Sequence, residues 1–132
     1  MDDAAFVDAF EDLSLPPAAF DHRGHLRLAL LTLARDGFEV TAVRLPQAIQ
    51  RYATHHGAPE KFHATLTHAL LHLLEAERRA QGSERNWEAL LEGAPALSQD
   101  ALALVHRHHS PAQLATASAR ETIQPPDRVP YP

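Results

Sequence analysis

The chain has 132 residues, 45% hydrophobic and 22% charged, with ten histidines, ten prolines, no cysteine and a formal net charge of −5. A domain of this length buries roughly two-thirds of its unfolded surface and needs no cross-link to fold. The missing cysteines exclude disulfide scaffolds, thiolate zinc sites, iron–sulfur clusters and cysteine nucleophiles. The negative charge argues against a nucleic-acid binder, which needs a basic patch.

Phe6, Val7 and Phe10 recur at helical spacing and predict a first helix over residues 3–13. Pro16 and Pro17 interrupt the chain, and a second helix over 18–35 is closed by Gly37. A third helix begins at 41 or at Pro46, runs to 56 and ends at Gly57; a fourth spans 59–80 and ends at Gly82. Ser83 opens a short helix through 91, Ser98 one over 99–109, and Ser110-Pro111 a last one to about 121. After Gln124 the prolines at 125, 126, 130 and 132 predict an extended tail, loose or lying along a surface. The expectation is an all-α fold: a single compact helical domain of about five to seven helices over 1–124, with a Pro-rich tail over 125–132. The acidic N-terminal stretch MDDAAFVDAF has no apolar core and does not read as a signal peptide. No apolar run is long enough to span a bilayer, so the chain reads as soluble and cytoplasmic.

The histidines carry most of the functional signal. With about 100° of rotation per residue, Leu26, Ala29, Leu30 and Leu33 form an apolar stripe on the second helix. His22 lies within this stripe and His25 on its flank. On the fourth helix Phe62, Leu66, Leu70, Leu73 and Leu74 form the stripe, with His63 inside it and Thr67 at its edge. The same wheel turns His68, His72 and Glu75 to the opposite, polar face, although His68 and His72 have the i, i+4 spacing of a metal-binding pair. His56 continues the stripe of the third helix and His55 turns away. His106, His108 and His109 read as a polar helix end, where imidazoles interact well with the helix dipole. The Glu75–Arg79 run reads as a solvated face and Trp87 as the anchor of a short helix. Gly24 stands inside a helix, where glycine costs up to about 1 kcal/mol relative to alanine; either it is merely tolerated or something approaches it closely.

Three imidazoles meeting in an interior need partners for their ring nitrogens, and a metal ion or a polar ligand supplies them. His22, His25 and His63 are therefore the expected metal ligands. Without cysteine, the ion would be a divalent transition metal held by nitrogen and oxygen: zinc, iron, copper or manganese. Asp21 is placed to orient an imidazole or to serve as a first-turn acid. Thr65 and Thr67 are candidate pocket hydroxyls, with helix packing as the alternative role.

The segments FDHRGHLRLALLTL, IQRYATHHG, KFHATLTHALLHL and HHSPAQLATASARETIQPPDRVP, in that order, resemble an uncharacterised bacterial family of small helical proteins. Its members carry H-x-x-H-L-x-x-A, Y-H-E-T-x-T and Y-S-P-x-x-L segments. The resemblance covers about residues 6–130 and singles out His22, His25, His63, Thr65, Thr67, Ser110 and Pro111. Where the family has Tyr and Glu around its motif histidine, this chain has Phe62 and Ala64. The resemblance supplies positions and no reaction.

The expected function is a histidine-ligated metal-binding protein, or a small metalloenzyme acting on a small molecule. The alternative is a non-metal binding or adaptor module whose inward histidines form a structural hydrogen-bond network. Neither reading calls for nucleic acid or a membrane; a small-molecule ligand, or a second copy docked through the tail, fits both.

Overall fold

The computed structural model describes residues 1–132, which separate into two compact units, Met1–Lys61 and Phe62–Pro132. Both are helical, with no strand anywhere. The helices are α1 (Asp3–Glu11), α2 (His22–Asp36), α3 (Phe38–His55), α4 (Ala64–Gln81), α5 (Trp87–Gly93), α6 (Pro95–Gln99), α7 (Ala101–His106), α8 (Pro111–Leu114) and α9 (Ala117–Glu121). The all-α expectation holds. Five of the nine helices have seven or more residues, and the remaining four are single turns or little more. The chain divides at 61/62, and residues 125–132 group with the second unit. No helix is long and apolar enough to cross a membrane.

In the first unit α1, α2 and α3 bury Phe6, Phe10, Leu15, Leu26, Leu33 and Leu45. Phe10, Phe20 and Tyr52 pack ring on ring, with centroids 4.8–5.3 Å apart, and the Tyr52 hydroxyl donates to the Leu15 carbonyl at 2.7 Å. The expected second helix is a 3-10 turn at Pro17–Ala19 followed by α2. The break falls where Asp21 accepts from the Gly24 amide at 2.8 Å and caps the helix. Gly24 is needed by its own neighbourhood: a Cβ there would stand 2.5 Å from the Ala19 carbonyl oxygen. Gly37 has φ +82° and ends α2 while opening α3 in the next residue. The third helix therefore starts before either expected point. It runs through Pro46, which cannot donate to the Ala42 carbonyl.

In the second unit α4 is the central element and packs against α5, α7 and α9. It begins at Ala64, five residues later than expected, because His63 is its N-cap: Nδ1 accepts from the Leu66 amide at 3.1 Å. Asn86 rather than Ser83 caps α5. The expected 99–109 helix is broken at Asp100, and the expected last helix is two helices, capped by Ser110 and Thr116.

The tail lies along this second unit. Asp127 accepts from the Ser110 amide at 2.7 Å and from its hydroxyl at 2.5 Å. The Arg128 amide donates to the His108 carbonyl and the Val129 amide to the Arg107 carbonyl. Gln113 Nε2 reaches the Pro125 carbonyl at 2.9 Å. Thr65, fully buried, donates to the Thr122 carbonyl and accepts from the Gln124 amide.

A candidate metal centre in the second unit

Of the expected ligands, His63 is buried as the wheel placed it and His25 is half-buried on the flank, but His22 is exposed. His22 and His25 belong to the first unit and His63 to the second. His22 stands exposed in the first turn of α2. His25 lies flat against Phe20, with centroids 3.8 Å apart, and its Nδ1 donates to the Asp21 carbonyl at 2.8 Å. Burial against that ring pushes its pKa down. His63 uses both ring nitrogens on backbone: Nδ1 accepts from Leu66, so Nε2 carries the proton and donates to the Leu114 carbonyl at 2.8 Å. A metal at His63 would have to displace one of these bonds. No three His, Cys, Asp or Glu side chains in the chain converge as metal ligands. Thr65 spends its hydroxyl on the tail backbone, and Thr67 is half-buried on α4. Asp21 is a helix cap, and His56 donates to the Leu13 carbonyl.

The histidines that do cluster are those assigned to solvent and to helix ends. His68 and His72 are half-buried, and His108 and His109 are 7% and 0% exposed. Their face of α4 is covered because α7 and the tail pack over it. Glu75, on the same face, is also buried and is paired with Arg78 at 2.6 Å. The most buried side chains of α4 are Ala64, Thr65, Ala69, Leu71, Leu74 and Glu75, whereas Leu66, Leu70 and Leu73 of the expected stripe are only half-buried. The tail was the missing cover, and its docking depends on long-range backbone bonds that periodicity does not encode.

Four imidazoles surround one phenol. Tyr131 stacks on His72, with centroids 4.2 Å apart and planes 14° from parallel, and lies within 5.5 Å of both His108 and His109. Its hydroxyl donates to His109 Nε2. His109 Nδ1 donates to Gln113 Oε1 at 2.5 Å, which sets the tautomer that lets Nε2 accept. His108 Nδ1 donates to the Val129 carbonyl at 2.8 Å. Burial raises the Tyr131 pKa to about 12, so the phenol stays protonated and donating.

His68 and His72 face each other through Nε2 atoms 3.0 Å apart, with ring planes 80° from parallel. One of these nitrogens must carry a proton, or a cation must sit between them, because two lone pairs at this distance repel. His68 Nδ1 is buried with no hydrogen-bond partner. Burial, and after it the neighbouring His68, lowers the His72 pKa to about 4. Burial, and after it His109, also lowers that of His68. Both rings are therefore neutral at pH 7, the form that ligates metals.

Beside the cluster an open groove of about 1160 Å³ runs between α4, α6, α7 and the tail. Leu73, Leu97, Leu104 and Val129 line it, together with His108 and Arg107, an exposed cation that makes no ion pair.

No protein-family model, curated protein or solved structure matches the chain.

Proposed function

We propose that this is a histidine-ligated metal-binding protein whose ion is held by His68 and His72. The observation that carries the reading is the pair of Nε2 atoms 3.0 Å apart on adjacent turns of α4. With metal–nitrogen bonds of about 2.1 Å, that separation subtends roughly 90° at the ion. This is the cis edge of a square-planar or octahedral site rather than a tetrahedral one. It suits copper(II) or iron(II) better than zinc, and the affinity order of divalent metals favours copper. Two protein ligands leave the remaining positions to water or an exogenous ligand, as in sites that exchange or react rather than sites that only brace a fold. Binding needs a proton shift between the nitrogens of one ring and no deprotonation, since both rings are neutral.

Calorimetric titration of untagged protein with copper(II) tests this. The reading expects one ion per chain, lost in His68→Ala and in His72→Ala and kept in His22→Ala. Stoichiometric binding that survives both α4 substitutions would overturn it.

A second reading, a non-metal binding module, is favoured by the groove. Its apolar lining and the exposed Arg107 suit a small amphipathic anion. Arg107→Ala would then weaken binding of a fatty-acid-like fluorescent probe without touching copper affinity.

A further inference from the structure

We infer that Tyr131 is the positioning residue of the His68–His72 pair, so that metal binding and docking of the C-terminal segment are coupled. This rests on the metal reading above. An i, i+4 histidine pair is free to rotate unless its rings are held. Each ring has two torsions, and an unrestrained pair on a helix surface samples many arrangements in which the Nε2 atoms diverge. Here the His72 ring is held flat against the phenol of Tyr131. That contact fixes the ring plane, and with it the direction of the Nε2 lone pair toward His68.

The phenol is itself immobilised. Its hydroxyl is anchored on His109, whose other nitrogen is anchored on Gln113, and His109 is fully buried. Gln113 holds the Pro125 carbonyl, while Asp127 holds both the amide and the hydroxyl of Ser110. Two backbone bonds, from Arg128 to His108 and from Val129 to Arg107, fix the chain just before Tyr131. Tyr131 thus touches neither the ion nor a substrate. It acts through His72, as groups beyond the ligand shell typically do when they set ring orientation, with 10–100-fold effects on affinity.

Coupling is reciprocal. If the docked tail orients the pair, an ion on the pair must hold the tail down. The Arg128 and Val129 amides, both bonded to carbonyls of the turn that follows α7, report on this directly through hydrogen exchange.

The test uses the full chain and copper(II), with Tyr131→Ala, Tyr131→Phe and His72→Ala. Tyr131→Ala should weaken copper binding at least tenfold. Tyr131→Phe, which keeps the stack and loses only the hydroxyl, should recover most of that loss. Copper should slow exchange of the Arg128 and Val129 amides in wild type and leave it unchanged in His72→Ala. Wild type that binds no copper overturns the metal reading itself. Wild type that binds copper with unchanged affinity in Tyr131→Ala overturns only the coupling. Should Tyr131→Ala fail to fold, the wild-type exchange decides: no slowing of the two amides by bound copper refutes the coupling.

Discussion

The acid limb of stability offers a sharp test of the buried histidine pair. His72 has an ordinary pKa of 6.5 and a folded value of about 4. Between those values the unfolded chain binds a proton that the folded chain excludes, so stability falls as pH drops from about 6.5 toward 4. Between pH 7.5 and 5.0 the full shift corresponds to roughly 2 kcal/mol. The ring is half-exposed, and solvent returns part of the cost, which leaves about 1 kcal/mol. His68 adds in the same direction. The exposed Asp127, whose carboxylate is held low by Ser110, loses its contribution only at more acid pH, as it protonates. The assay is urea unfolding followed by Trp87, the single tryptophan, which sits in the second unit, at pH 7.5 and 5.0 with chelator present. His25 in the first unit also destabilises with acid, so the comparison is with His72→Gln. Wild type should lose about 1 kcal/mol more than this variant over the interval. Equal losses, or a larger loss in His72→Gln, would refute the claim that burial holds this imidazole neutral.

Three further substitutions follow from the packing. Gly24→Ala should destabilise by about 1–3 kcal/mol, because the new methyl meets the Ala19 carbonyl. Helix propensity alone would give about 1 kcal/mol of the opposite sign, so thermal unfolding decides between them by direction. Thr65→Ala removes the donor to Thr122 and the acceptor for Gln124. It should cost about 2 kcal/mol, seen as a lower urea midpoint and faster exchange of the Gln124 amide. His63→Ala uncaps α4 and strands the Leu114 carbonyl. It should cost about 2 kcal/mol yet leave copper affinity within twofold by calorimetry.

The long helices were legible because their signals are local. Apolar spacing over α1, α2 and α4 and the glycines at 37, 57 and 82 mark where the chain turns. The Ser110-Pro111 start was legible for the same reason. Helix starts were read less well at α2, α4 and α5, whose caps are Asp21, His63 and Asn86. Histidine is an unusual N-cap, and His63 in that role shifted the start of α4 by five residues and changed which of its atoms were available. α8 and α9 are fused in the sequence reading, since the two-residue break at Ala115 and Thr116 barely disturbs the 3.6-residue pattern, while α6 falls between the expected helices ending at 91 and starting at 99.

The burial of His68, His72, His108 and His109 was misread for a different reason. The wheel assumes that a helix has one buried face and that apolar residues mark it. On α4 the polar face is covered too, by a tail whose prolines look like the mark of a loose end. The tail docks through backbone bonds at 107 and 108, a carboxylate at 127 and a phenol at 131. One clue was present: Tyr131 is an aromatic residue among prolines, eight residues beyond Ile123, and a solvated tail has little use for one. The i, i+4 spacing of His68 and His72 was also visible, but spacing alone does not say which side of a helix is covered.

Long-range 1H–15N spectra of the imidazole side chains, recorded as zinc(II) is added in excess to untagged protein, test the central claim most directly, since this diamagnetic ion has no d-electron geometric preference and can occupy the same pair more weakly than copper. His68 and His72 should both end with ligated Nε2 and a proton on Nδ1, only the ring that donates in the free protein changing tautomer, while His22, His25 and His63 keep their signals. Ligation shifts at His22, His25 or His63, with His68 and His72 unmoved, would contradict it.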